Sequence, residues 1–247
     1  MTLKVALVTG AGVGIGRAAV LALSRAGYSI VLTGRRPEPL KATAAECAGD
    51  TLVHPADVSR PEAVRDLFSA IETRYGRLDV LFNNAGIGAP AVEIDELSDE
   101  AWHAAVNTNL NGMFYCLRGA FGLMKRQTPG GGRIINNGSI SAHVPRPNTI
   151  AYTATKHAVT GLTKAASLDG RPWSIAVGQI DIGNAATEMT QRMRSGIRQA
   201  NGETMVEPTF DVSHVGDAVA QMAALPLDTN IQFMTIMART MPYIGRG

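Results

Sequence analysis

Ser139, Tyr152 and Lys156 are the side chains of this 247-residue sequence whose types and spacing point most directly to chemistry. Tyr152 and Lys156 stand at i and i+4, which makes them neighbours on one face of a helix. A tyrosine hydroxyl, with an ordinary pKa of about 10, is a poor base at neutral pH, but an adjacent ammonium favours the phenolate and brings proton exchange with a substrate oxygen within range. Ser139 follows a candidate strand, so its hydroxyl can meet Tyr152 across a cleft and hold that same oxygen. A Tyr-x-x-x-Lys pair alone occurs on many solvated helix faces; its weight here comes from the motifs around it.

The run Thr9-Gly10-Ala11-Gly12-Val13-Gly14-Ile15-Gly16 sits where a first apolar segment turns into a first helix. A strict Gly-x-Gly-x-x-Gly fails, because residue 15 is Ile and residue 17 is Arg; the spacing that fits is Gly10-x-x-x-Gly14-x-Gly16. The physical demands are a tight turn, backbone amides that reach a pyrophosphate, and a helix N-terminus aimed at the anion. Gly10, Gly12, Gly14, Ile15 and Gly16 are therefore expected to hold a dinucleotide. Asn83-Asn84-Ala85-Gly86 ends another apolar strand, and the small residues after Asn84 leave room for a sugar or an adenine against the backbone. Asp57 and Val58, past the third strand, are expected beside the base, with Asp57 either opening a helix or accepting from the adenine. At the end of the second strand stands Thr33-Gly34-Arg35-Arg36, where an NAD site carries an acid for the ribose 2′-hydroxyl. Gly34 removes that side chain and Arg35 offers a planar fork to a 2′-phosphate, with Arg36 beside it or facing solvent, so NADP is favoured and NAD is the alternative.

These residues need strands that end together. The chain alternates short β-branched runs with helical segments from end to end, the pattern of βαβ units around a parallel sheet. The pattern predicts seven strands at Val5–Thr9, Ser29–Thr33, Thr51–His54, Val80–Asn83, Arg133–Asn137, Ser174–Ile180 and Ile231–Met237. Most are apolar throughout, as strands covered on both faces are. Pro61 suits the first turn of a helix through Tyr75, and Ser98 caps a long helix from Asp99 to about Lys125. Met189, Met193 and Ile197 form one apolar helical stripe within a variable segment, residues 184–210, expected either to pack in the core or to act as a lid over the substrate. Right-handed crossovers wind the whole into one α/β domain over residues 1–247, a doubly wound, mostly parallel seven-stranded sheet with helices on both faces.

Composition excludes several functions. Lysine plus arginine total 23 against 21 acids, a net charge of +2, far from what a phosphate backbone selects, so no nucleic-acid partner is expected. Cys47 and Cys116 are too few for a disulfide framework and fit a reducing cytoplasm; no metal-ligand spacing occurs. The apolar run after Lys4 is too short for a secretory leader, and no stretch suits a membrane span.

Taken together, the Thr-Gly-x-x-x-Gly-x-Gly turn, Asn83-Asn84-Ala85-Gly86, Ser139, and Tyr152 with Lys156 resemble the short-chain dehydrogenase/reductase family, in its single-domain branch. The resemblance covers nearly the whole chain. It implies hydride transfer between a nicotinamide and a carbonyl or secondary alcohol, with Tyr152 as acid/base and Ser139 on the substrate oxygen. It also implies that Lys156 grips the nicotinamide ribose, and that Asn109, in Asn109-Leu-Asn-Gly112, holds a water of the proton relay. Gly183 and Thr187 keep the family's spacing after the sixth strand, although Ile182 replaces the usual proline, and they are expected at the nicotinamide. The C-terminal segment lacks the glycine-rich, acidic ending of many members. The resemblance further implies a homotetramer or dimer through the helices containing Asn109 and Tyr152, with Phe114, Leu117, Phe121 and Leu162 either apolar contacts there or core residues. Two rivals share this fold: a cofactor-independent lyase, whose relatives have lost the cofactor glycines and carry Arg for the lysine, and a non-catalytic nucleotide sensor. Gly14, Gly16 and Lys156 argue against the first, the intact Ser/Tyr/Lys set against the second. The pocket is expected between Ile87, the loop Ser141–Val144 and the variable segment, with His143 an exposed loop histidine in preference to a substrate contact.

Overall fold

Val5–Thr9 (β1) and Ser29–Thr33 (β2) are buried along their whole length in the computed structural model, which describes residues 4–244. With Thr51–Val53 (β3), Val80–Asn83 (β4), Gly132–Asn137 (β5) and Ile175–Gly183 (β6) they form a parallel sheet. A hairpin of two-residue strands, Ile197–Arg198 (β7) and Thr204–Met205 (β8), stands apart, and Phe233–Met237 (β9) completes the main sheet in the order β3-β2-β1-β4-β5-β6-β9. This is the doubly wound Rossmann arrangement. Each strand contributes alternate residues to opposite faces, so Ala6 and Val8 pack on one side while Val5 and Leu7 pack on the other.

Helices Gly14–Arg25 (α1), Pro37–Ala45 (α2) and Pro61–Tyr75 (α3) follow the first three strands. Ala19, Val20 and Leu23 of α1 meet Val215, Val219 and Met222 of the last helix on one face; Leu67 and Ile71 of α3 meet Cys116 and Leu123 on the other. The predicted long helix from Asp99 is broken in two. Asp99–Val106 (α4), capped by Ser98 Oγ accepting from Ala101 N at 3.2 Å, and Met113–Arg126 (α5) are separated by a π-helical turn over Asn107–Gly112. Ile150–Asp169 (α6) is continuous, Gln191–Ser195 (α7) is short, and Ser213–Ala224 (α8) leads to β9.

β3, β5 and β9 differ from the expected strands by one or two residues at one end, and two departures are larger. β6 continues past Ile180 to Gly183 because Asp181 is buried within it despite its polarity. The Met189-Met193-Ile197 stripe is not one helix: α7 ends at Gly196, whose φ of 101° no helix accommodates, and Ile197 belongs to the hairpin. Arg133, fully buried on β5, donates to the carbonyls of Leu225, Pro226 and Thr229 and to Asn230, tying the connection between α8 and β9 to the sheet centre.

Candidate active site

The strand order reverses between β1 and β4, and a crevice opens there at the carboxyl ends of the strands. A cavity of about 710 Å³ fills it, lined by the glycine turn, Asp57, Val58, Ala85, Gly86, Tyr152 and Lys156. Gly10 and Gly14 take φ of 66° and 53°, and a Cβ on Gly16 would stand 2.0 Å from the Gly10 carbonyl oxygen, so only glycine lets α1 begin this close to β1. No side chain caps α1; its N-terminus meets the cavity with amides that lack a helical partner. A dinucleotide pyrophosphate fits that donor set. Arg35 and Arg36 line the cavity, both exposed, and neither forms an ion pair among the described residues. Asp57 also accepts from the amide and hydroxyl of Ser59, fixing the turn before α3.

Of the expected cofactor residues Gly183 sits differently, while Asn84 lines the cavity as expected and has a second task. Asn84 spends its side chain on bracing: Nδ2 donates to Thr9 O at 2.8 Å and Oδ1 accepts from Asn137 Nδ2 at 2.8 Å, locking the ends of β1, β4 and β5 together. Gly183 does not line the cavity, although Ile182 and Asn184 do; a Cβ on it would stand 2.9 Å from both Met237 Cβ and Met241 Sδ, so glycine is required there for packing. Thr187 lines the cavity and lies over the glycine turn, its Cγ2 3.2 Å from where a Cβ of Gly14 would be.

Tyr152, in the first turn of α6, faces two cavities: the large one and a smaller one of about 80 Å³ that it shares with Ser139, Ser141, Arg146 and Met193. Lys156 is buried one turn on, its Nζ 5.5 Å from the Tyr152 ring centroid and donating to Asn137 O at 2.7 Å. Ser139 Oγ accepts from Ser141 N at 3.1 Å, which leaves its proton for another acceptor. Asn109 lies in the π turn, fully buried and lining neither cavity. Its Oδ1 accepts from Ile87 N at 2.8 Å; its Nδ2 donates to Ile87 O at 3.0 Å and Thr155 Oγ1 at 3.3 Å. The side chain is thus committed to the protein. Thr155 Oγ1 in turn donates to Tyr152 O at 2.8 Å, joining the π turn to the start of α6.

The sequence reading missed a clasp. Arg146 donates through Nη2 to Glu207 Oε2 at 2.5 Å and to Asn184 Oδ1 at 3.1 Å, while Glu207 also accepts from Asn184 Nδ2 at 2.7 Å and Gln199 Nε2 at 3.1 Å. It joins the loop before α6 to the segment 184–210. Arg146 and Glu207 are 61 residues apart, and no local pattern links them. His143 is exposed as expected, but its Nε2 lies 2.9 Å from Oδ2 of the buried Asp181. Of the expected pocket wall, Ser141 lines the smaller cavity and Ile87 the larger; Ala142, His143 and Val144 line neither. Among the described residues there is no His, Cys, Asp and Glu grouping suited to a metal ion, and no helix long and apolar enough to cross a membrane.

A pyrophosphate cradle opening onto a tyrosine backed by a buried lysine defines a dinucleotide-dependent oxidoreductase on a Rossmann sheet. Residues 4–198 match the short chain dehydrogenase family. The chain is 38% identical over 203 residues to a 3beta-hydroxysteroid dehydrogenase of Mediterraneibacter gnavus, covering 81% of this chain and 72% of that protein. It is 33% identical over 235 residues to a D-beta-hydroxybutyrate dehydrogenase of Rhizobium meliloti, covering 91% and 90%. A variant actinorhodin polyketide ketoreductase, crystallised with NADPH, superimposes with a TM-score of 0.86 at 28% identity, covering 95% of this chain and 96% of that one. The chain belongs to the short-chain dehydrogenase family. It is an NAD(P)(H)-dependent oxidoreductase that transfers hydride to or from a small carbonyl or alcohol substrate.

Proposed function

We propose that this enzyme uses NADP(H) to interconvert a ketone and a secondary alcohol, with Tyr152 as its acid/base. The observation that carries the reading is the position of Tyr152 on the wall shared by the large cavity and the smaller one that contains Ser139. The bound nicotinamide supplies or accepts the hydride. In the reductive direction Tyr152 gives its hydroxyl proton to the carbonyl oxygen, and Ser139 donates to the same oxygen and fixes it. Lys156 has three donors, one of them used on Asn137 O; the others serve the coenzyme ribose and the electrostatics of the developing phenolate. With the Asn109 side chain committed, its part in a water relay falls to its main-chain carbonyl in the π turn, a geometry that recurs at functional sites.

Preference for NADP(H) rests on Arg35 and Arg36, which form no ion pair among the described residues and stand at the cavity rim with Gly34 in place of an acid. The relatives named for hydroxysteroid, hydroxybutyrate and polyketide substrates all point to secondary alcohols and ketones. Met189 and Met193, beside the smaller cavity, suit an apolar part of the substrate, and residues 184–210 act as a lid within a single domain. We further propose a cytoplasmic homo-oligomer that pairs through α5 and α6. Phe114 is exposed there, while Leu117 is buried in the core, and Phe121 and Leu162 pack against it.

The test is a panel of ketones, sugars and acyl thioesters followed by nicotinamide absorbance, repeated with Tyr152→Phe. Tyr152→Phe is expected to keep coenzyme binding and lose about 10²–10⁴-fold in turnover. Activity within about tenfold of the wild type would remove Tyr152 as the acid/base.

A further inference from the structure

We infer that Asp181 is a positioning residue for Ser139, anchoring both ends of the loop that presents the serine to the substrate oxygen. The inference rests on the role proposed above for Ser139. Asp181 lies in β6 with 1% of its surface exposed, between the apolar Ile180 and Ile182. A carboxylate is costly to bury, and it persists only where donors replace water. Asp181 has three. Oδ1 accepts from Ser139 N at 2.9 Å and from Gln179 Nε2 at 2.7 Å, and Oδ2 lies 2.9 Å from His143 Nε2. Two of these partners, Ser139 and His143, bracket the short turn Ile140–Ala142, so one carboxylate holds that turn from both sides.

The third partner connects the carboxylate to the rest of the site. Gln179 Nε2 also donates to Thr160 Oγ1 at 3.0 Å, and its Oε1 accepts from Thr163 Oγ1 at 3.0 Å, both on α6. Thr163 Oγ1 accepts from Asn136 Nδ2 at 3.0 Å on β5. This buried polar chain ties the Ser139 loop to the helix that carries Tyr152 and Lys156, so two groups that must meet on one oxygen are referred to a common frame. The backbone is shaped around the carboxylate: a Cβ on Gly138 would stand 2.0 Å from Asp181 Oδ1 and 2.5 Å from Gln179 Nε2. Gly138 therefore lets the chain pass directly over the carboxylate and place Ser139 N on it.

The experiment is a double-mutant cycle on kcat, with coenzyme Kd measured for every variant. Asp181→Asn keeps an acceptor for Ser139 N and Gln179 and is expected to hold kcat within about threefold. Asp181→Leu removes both acceptor oxygens and all three contacts and is expected to lower kcat by roughly 10- to 100-fold, the scale of a displacement of about 1 Å in a reacting group, with coenzyme Kd unchanged. His143→Leu releases one side of the turn from an exposed position where folding is not at stake, and is expected to lower kcat by about three- to tenfold. In a Ser139→Ala background both losses should vanish, because residues that act through one group are not additive. Equal losses in the two backgrounds would overturn the inference. So would a His143→Leu enzyme with full kcat, which decides the matter should Asp181→Leu fail to fold. If Ser139→Ala alone left kcat within about threefold, the assigned role of Ser139 would fall first, a result distinct from additivity.

Discussion

Replacing Glu207 by glutamine takes one charge and almost no volume from the clasp between the lid and the loop before α6. The native carboxylate is fully buried as a side chain, and its partner Arg146 is 11% exposed. Burial pushes the Glu207 pKa up, yet the donations from Arg146, Asn184 and Gln199 outweigh it and hold the carboxyl below its ordinary value. A folded-state pKa below the unfolded one contributes stability that is complete above about pH 4.3 and is lost as pH falls through the folded value, so the clasp is whole at pH 7. Glutamine leaves the Arg146 guanidinium without its counter-charge. Removing one partner of a buried pair costs about 3–5 kcal/mol, and because the amide keeps one acceptor oxygen the lower figure applies. Spread over the whole fold, about 3 kcal/mol would lower Tm by roughly 6–12 °C. Arg146 lies in that loop and Asn184 and Gln199 in the lid, however, so local opening relieves the charge at less cost. The expected result is a Tm fall below about 6 °C, with amide exchange at Gln199, Glu207 and Phe210 faster by roughly two orders of magnitude. KM should rise about tenfold or more, since the lid shapes the smaller cavity. A full Tm loss with unchanged KM would refute the local reading, and no change in Tm, exchange or KM would refute the clasp itself.

Arg35→Ala should cut the ratio of kcat/KM for NADPH over NADH by about tenfold or more, consistent with a loss of one charge-assisted pair; an unchanged ratio, or a wild-type preference for NADH, would remove Arg35 from phosphate recognition. Gly16→Ala forces a Cβ against the Gly10 carbonyl, so coenzyme Kd should rise by more than tenfold and Tm should fall by several degrees, at about 2–4 °C per kcal/mol, both read by thermal shift with and without coenzyme. Burial pushes the Cys116 thiol up to about 12, and burial raises the half-exposed Cys47 as well. A thiol reagent at pH 8 should therefore label at most Cys47 in the native enzyme and both cysteines after denaturation; native labelling of Cys116 would contradict its burial.

The buried parallel strands were legible because they are apolar on both faces: β1, β2 and β4 begin and end where the residue pattern changes. The end of β6 was not legible because Asp181 breaks that pattern after Ile180, and what makes Asp181 a strand residue is a set of partners on Gln179 and in the Ser139 loop. The glycine turn, Ser139, Tyr152 and Lys156 were visible because their spacings are local or their order is diagnostic, and the structure gathers them around two adjoining cavities. The π turn was not visible, since Asn107–Gly112 has helical propensity on either side and its distortion is fixed by Asn109 reaching Ile87, 22 residues away. Pairs such as Arg146 with Glu207 meet across the fold, where no periodicity reports them.

The π turn over Asn107–Gly112 also has a genetic meaning. A helix ordinarily tolerates neither insertion nor deletion, because one residue rotates everything downstream by about 100° and turns the apolar stripe out of the core. A π turn holds one residue more than an α turn and returns the following helix to its former face. Losing a single codon within this turn would leave α4 and α5 as one regular helix, with Cys116, Ala120 and Leu123 still facing inward. The bulge that seats Asn109 against Ile87 would be gone. At this point in the gene the capacity to fold and the capacity to catalyse can part company in one mutational step.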